Sequence, residues 1–303
     1  MYALGFLAMI SSYYTISIVD IDEKFLIYIS KIVSIASILT IIFNGMLNFS
    51  LEHGVAFSGR INPFMYLPYI FISIKHYNKN KSMRLIMIFI LILNLIDIVW
   101  TDSRASILAT ICIIVGYFIF TKLRIGKNKE KIKKILKIVC LCVLILRLFL
   151  PIIYIFLYEN YADELNQISY KYTKKYFFSG RQGVWNQIYK SVEGKELIGT
   201  GDINYEKQNL AAHNEFINLY YCWGFPVAII SDVLIYIIVR KCINNIRDNR
   251  DLLILLCFLA NIVCTIFETY LYTIHFFIFN VIPLSYILNR NGESNENNRN
   301  AII

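Results

Sequence analysis

The chain has 303 residues, of which 57% are hydrophobic and only 17% are charged. A soluble domain of this length carries roughly a quarter charged residues, so a water-soluble globular fold is excluded and repeated crossing of a bilayer is expected. The net charge of +9 does not point to nucleic acid, because Lys and Arg gather in short loops between apolar runs, as the positive-inside rule produces.

Nine spans can be drawn, at 1–19, 25–49, 61–75, 84–100, 104–121, 138–158, 214–239, 252–272 and 274–289. Runs of roughly 17–25 apolar residues cover about 30 Å of hydrocarbon. Pro63 and Pro68 are expected to distort or restart the third. The predicted fold is all-α, a polytopic transmembrane helix bundle of about nine spans with one large extracytoplasmic loop containing short helices. Residues 1–158 hold the first six spans, 159–213 the loop, 214–289 the last three spans, and 290–303 a polar tail.

The basic loops 75–84, 122–134 and 240–250 belong in the cytoplasm, which puts 50–60, 101–104 and 159–213 outside and the tail inside. The first span then starts outside, so either Met1 is translocated or a further helix lies upstream. Residues 1–19 lack the basic start and small-residue cleavage site of a signal peptide. The seven Cys lie in or beside apolar spans without a paired CxxC pattern, which reads as packing.

The long polar loop has structure of its own. In RQGVWNQIYKSV (181–192), Val184, Trp185, Ile188, Tyr189 and Val192 recur at helical spacing, with Ser179 or Gly180 as a cap and Gly194 as a stop. GTGD (199–202) reads as a turn, and HNEFINLYY (213–221) opens the next span.

Charge near the bilayer is informative, because it costs on the order of 3 kcal/mol at the centre. Arg104 in TDSRAS stands at an outer helix mouth, where it either binds phosphate or snorkels as an anchor, with Asp102 as a pairing candidate. Arg181 lies one helical turn before Trp185, so the two could face one ligand, or anchor a surface helix. His213 and Asn214 begin a span where unpaired N–H groups favour an anion. A neutral His213 imidazole could take a hydroxyl proton; Asn214 could equally be a helix cap. Glu268 and His275 lie at an outer turn, Arg60 in another outer loop, and Arg147 inside an apolar span without an assigned role. Gly-rich phosphate loops, HExxH, GxSxG and a paired-acid metal motif are all absent, so no metal and no cofactor is expected.

SR at 103–104, SGRxxxWxxxYKSVxGKxLIGTG (179–201) and AHNEFINLYYCWGFPVAII (212–230) follow one another in an ordered set. The set resembles the O-antigen ligase and O-antigen polymerase superfamily of bacterial membrane glycosyltransferases. The resemblance covers residues 100–230, and the rest matches by hydropathy. It implies a GT-C-like fold of ten or more helices, more than this chain holds, which fits a missing N-terminal portion. It also implies an extracytoplasmic active site, an undecaprenyl-diphosphate-linked glycan donor, and a glycan or lipid acceptor. Arg181 and Arg104 are then expected to hold the diphosphate, and His213 to act as base or orient the acceptor. Trp185, Asn214, Arg60 and Glu268 remain substrate-binding candidates.

Membrane lipids are the expected surroundings, a chain-length regulator or flippase the accessory partner, and nucleic acid no partner. The abundance of Ile, Lys, Asn and Tyr fits the AT-rich genome of a Gram-positive source without lipid A to receive glycan, which favours a capsule-type polymerase over a ligase. The rival classes are a polysaccharide exporter or flippase, which would place charges across the bilayer, and an acyltransferase, which would hold its His deep or toward the cytoplasm.

Overall fold

A computed structural model describes residues 14–16, 18–19, 21–52, 63–100, 104–122, 125–174, 176–178, 180–201, 212–267 and 277–289. Among these residues every regular element is helical and none is a strand. The helices are α1 (Glu23–Glu52), α2 (Leu67–His76), α3 (Lys81–Trp100), α4 (Arg104–Lys122), α5 (Ile125–Thr173), α6 (Arg181–Val192), α7 (Glu215–Trp223), α8 (Phe225–Asn245), α9 (Asn249–Cys264) and α10 (Ile282–Asn289).

Among the described residues four stretches are long and apolar enough to cross a membrane: Glu23–Phe43, Lys81–Trp100, Ala105–Lys122 and Lys129–Tyr172. Between 22% and 33% of each apolar window is buried within the chain, and residues such as Leu39, Phe89, Phe118 and Ile152 cover the outside. Lipid tolerates so large an apolar exterior and water penalises it. The chain is a membrane protein.

The other expected spans take different forms. Residues 1–19 fall almost wholly outside the described residues. The third breaks at its prolines as anticipated, with a 3-10 turn at Pro63–Tyr66 and a restart at Leu67 that leaves α2 ten residues long. The seventh was expected to run unbroken over 214–239 but is two helices, because Gly224 (φ 85°) ends α7 and Pro226 suits the first turn of α8. α8 has the length to span but carries Asp232, Arg240 and Lys241. α9 has 16 residues and α10 eight, and residues 268–276 between them lie outside the described set. α5 exceeds its expected span: 49 residues reach about 74 Å, so the first part of the polar loop continues the helix.

The chain divides into two compact units. The larger takes Ile10–Leu136, Val239–Cys264 and Thr273–Ile303. Within it α1, α2 and α3 pack together, and α9 lies along α4. Lipid gives apolar helices no hydrophobic reason to associate, so small and polar residues supply the contacts. Ser34 and Ser73 hydroxyls lie 3.2 Å apart, Asn94 Nδ2 donates to Ser37 Oγ at 2.9 Å, and the Thr40 and Tyr66 hydroxyls meet at 2.5 Å. On α4, a Cβ added to Gly116 would stand 3.2 Å from Leu256 Cδ2, so the missing side chain lets α9 come close. All of α9 except Asn249, Arg250 and Val263 is buried.

Candidate functional site

The smaller unit holds Lys137–Ile238 and Thr265–Tyr272, with Met1–Met9. It contains α6 and α7, the two elements on which the sequence places most of its chemistry. Gly180, in the left-handed region at φ 84°, turns the chain into α6, and Glu193 and Gly194 (φ 75°) end it. The predicted helix is therefore present with the predicted punctuation. Its apolar face carries Trp185, Ile188 and Val192, which pack on Ile217, Tyr221 and Cys222 of α7.

Trp185 corrects one expectation. Its indole is fully buried, donates Nε1–H to the Ala212 carbonyl at 2.5 Å, and meets the Tyr154 ring edge-on at 5.2 Å between centroids. It cannot present its face to a ligand beside Arg181. Helical spacing correctly groups apolar residues on one face, but that face is turned inward because an indole buries more apolar area there than any neighbour. Trp185 is a positioning residue that fastens α6 to the segment just before His213.

At the mouth of α7 the side chains have divided the work. Asn214 is buried and serves as the N-cap: its Oδ1 accepts from Ile217 N–H at 3.0 Å, and its Nδ2 donates to the Ile266 carbonyl at 3.0 Å and the Arg147 carbonyl at 3.4 Å. Its amide is committed on both sides, so Asn214 is a cap and not a ligand contact. The Glu215 N–H is also taken, by the Thr265 carbonyl at 3.0 Å, and the fully buried Glu215 carboxylate accepts from Asn218 Nδ2 at 3.4 Å. An open anion cradle at this helix end is one of the two sequence readings, the cap being the other. The structure fills two of its first three donors and puts an acid in the first turn, which already answers the helix dipole.

His213, the residue before this cap, is partly exposed and at φ 46°. Left-handed backbone is uncommon for a residue with a Cβ and clusters at functional sites. Arg181 holds its guanidinium 5.7 Å from the Phe267 ring centroid. Phe267 closes the turn whose Thr265 and Ile266 carbonyls hold Glu215 and Asn214. Arg181 from α6 and the residue after His213 on α7 are thus tied to the same three-residue turn.

Below this turn lies a buried charge that the sequence reading left without a role. Arg147 on α5 is fully buried, pairs with Asp232 of α8, and donates to Thr265 Oγ1 at 3.1 Å. Four residues on, Pro151 sits inside α5. Proline has no N–H for the carbonyl one turn back, and here that carbonyl is Arg147's, the one Asn214 reaches from the α7 mouth. The Arg-x-x-x-Pro spacing was a usable signal. So was Asp232, an acid within an apolar run and a functional candidate on the same ground as Glu268. Asp97, buried on α3 of the larger unit, carries the same signal.

The Gly-x-Gly turn and Gly224 have a steric explanation. Thr200 and Gly201 N–H groups donate to the Tyr221 and Cys222 carbonyls at 2.8 and 3.1 Å, and Phe225 N–H donates to the Glu196 carbonyl at 2.7 Å. Backbone lies directly on backbone. A Cβ on Gly199 would stand 2.6 Å from Cys222 C, and one on Gly224 2.4 Å from Leu197 C, both at positive φ. Gly199→Ala or Gly224→Ala is expected to lower stability by about 2–4 kcal/mol, combining left-handed strain with overpacking. Thermal unfolding in detergent should show this, whereas Gly183→Ala, with open space around its Cβ position, should be neutral or stabilising.

Beside these elements is a groove of about 330 Å³ lined by Leu148, Ile152, Tyr189, Phe216, Tyr220 and Phe225, with Glu196 and Leu197 at its edge. The lining is almost entirely apolar. Glu196 is held below the ordinary carboxylate value by its own backbone N–H and that of Gly194, so one edge of the groove is anionic. Such a groove suits a hydrocarbon chain and repels a phosphate.

Of the predicted site residues, the structure brings Arg181, Trp185, His213 and Asn214 into one unit. Arg104 opens α4 in the other unit, and its side chain lies outside the described residues, as do Arg60, Glu268 and His275 entirely. Comparison with family models, with curated proteins and with solved structures found no match to the chain.

Proposed function

We propose that the chain is a membrane glycosyltransferase that polymerises lipid-linked polysaccharide repeat units of the O-antigen or capsule type. It acts at the outer face of the cytoplasmic membrane on a glycan carried by undecaprenyl diphosphate. On this reading the membrane-length helices belong to a GT-C-like bundle of about nine spans, with α6 and the α7 mouth on the extracytoplasmic side. The observation that carries the reading is the anchoring of Arg181 and the His213–Asn214 corner to one turn, beside an apolar groove.

The chemistry follows from the residue types. An acceptor sugar hydroxyl attacks the anomeric carbon of the donor glycan, the new carbon–oxygen bond forms, and the bond to the diphosphate breaks with inversion. His213 takes the hydroxyl proton. Arg181 meets the charge that develops on the departing diphosphate, and a preorganised guanidinium does so without reorganising. The groove beneath Tyr189 and Tyr220 takes the first isoprene units, and the anionic Glu196 edge turns the diphosphate away toward Arg181.

The test is purified full-length protein in liposomes, supplied with lipid-diphosphate repeat units from the same envelope. A ladder of products spaced by one repeat unit is expected on a gel. A single product of fixed length joined to a different acceptor would make the protein a ligase. Repeat units moved across the bilayer unextended would make it an exporter, and either result sinks the polymerase reading.

A further inference from the structure

The larger unit contains a second site, unrelated to glycosyl transfer. A cavity of about 350 Å³ opens among the ends of α2, α3, α4 and α9. Lys75, Arg84 and Arg250 line it, together with Asn78 and Tyr117, and Leu253 contributes to its apolar wall. The three cations come from the loops 75–84 and 240–250, both of which the positive-inside rule assigns to the cytoplasm.

The charges are not balanced within the cavity. Arg250 is engaged from behind, by Glu23 at 2.5 Å and Asp248 at 3.4 Å, and its guanidinium lies 5.5 Å from the Tyr286 ring. Burial pushes the Asp248 carboxyl up, but the Asp251 and Arg250 backbone N–H groups and the charges of Arg250 and Lys75 bring it below its ordinary value. It therefore counts as a full negative charge. Arg84 is positioned by Asn78 Oδ1 at 2.9 Å, and among the described residues neither Arg84 nor Lys75 has an acid within salt-bridge distance. Three cations thus meet two acids, Glu23 and Asp248; both acids contact Arg250, Lys75 acts on Asp248 only through its charge, and the surplus positive charge falls to Lys75 and Arg84 at the opening.

We propose that this cavity binds the phosphate of an anionic membrane glycerolipid on the cytoplasmic side. A phosphate bridging Lys75 and Arg84, with Asn78 and the Tyr117 hydroxyl as further donors, satisfies the surplus charge. The neighbouring apolar wall and the lipid-facing sides of α3 and α4 receive the acyl chains. Basic pockets between helices on this side of a membrane bind such headgroups. A free phosphate offers the same oxygens but no chains for that wall.

The test uses the full chain in phosphatidylcholine nanodiscs doped with phosphatidylglycerol, with retained lipid counted by native mass spectrometry. Wild type is expected to retain phosphatidylglycerol in preference to phosphatidylcholine. The Lys75→Gln/Arg84→Gln variant is expected to weaken that retention by about thirtyfold or more, each charge-assisted contact to the phosphate being worth more than about fivefold. Both positions are exposed, and an unchanged thermal unfolding curve will show that the variant folds. Lys79→Gln/Lys81→Gln removes equal charge from the same surface without touching the cavity, and should retain lipid as wild type does. Equal loss in that control, or no loss in the cavity variant, overturns the proposal. Displacement of the lipid by millimolar inorganic phosphate also overturns it, and would make the cavity a soluble-phosphate site.

Discussion

His213→Asn is expected to lower chain extension by about 10²- to 10⁴-fold, the usual worth of a positioned general base, in a protein that still folds. Asparagine is the informative replacement. His213 sits at φ 46°, where most side chains cost roughly 1–2 kcal/mol, and Asn is among the few residues that visit the region routinely. The variant thus keeps the corner that feeds Asn214 into α7 and removes only the imidazole. Alanine would confuse lost chemistry with added strain. Arg181→Lys makes the companion variant: it keeps the charge but gives up the planar fork that meets two phosphate oxygens together, and about a 100-fold loss is expected. Ladders of normal length and rate from both variants would remove the assignment. Normal ladders from His213→Asn alone would restrict the histidine to orienting the acceptor.

Asp232→Ala is expected to lower stability by about 3–5 kcal/mol, because it leaves Arg147 buried and charged without its partner. Arg147 has nowhere to retreat: it is wholly enclosed, and the side-chain bond it makes to Thr265 Oγ1 is to a neutral hydroxyl. The double variant Arg147→Met/Asp232→Leu is expected to recover most of that loss, since apolar residues of similar volume commonly replace a buried ion pair at little cost. Thermal unfolding of all three proteins in one detergent checks this. A single variant as stable as wild type would mean that the pair contributes nothing. A double variant as unstable as the single would mean that Arg147 matters for its own contacts to the α7 mouth.

Some of this could be read from the sequence alone, and the rest could not for identifiable reasons. The helix at 181–192 was legible because five apolar residues fall at helical spacing between glycines, and that signal is local. Its direction was not, since periodicity says which residues share a face but not what the face meets; Trp185 went inward. Asn214 as a cap was one of two readings, and its partners settled it: Ile266 and Arg147 are distant in sequence and close only in the fold. The break at Gly224 was hidden by continuous hydropathy over 214–239, although Gly-Phe-Pro is a stop followed by a restart. Asp232 and Arg147 were each visible as an isolated charge in an apolar run. Their pairing depends on how α5 and α8 pack, which no spacing rule states.

The Arg147–Asp232 pair also sets an order of events during biogenesis. α5 leaves the ribosome long before α8, so its guanidinium and the carbonyl exposed by Pro151 enter the bilayer with neither partner yet made. Until Asp232 and Asn214 arrive, that guanidinium and carbonyl lack two of the groups that meet them in the folded chain, and polar groups unmet in hydrocarbon are costly. A chain cut short before α8 lacks the acid that Arg147 pairs with and keeps that cation inside the bilayer at a cost the finished chain avoids.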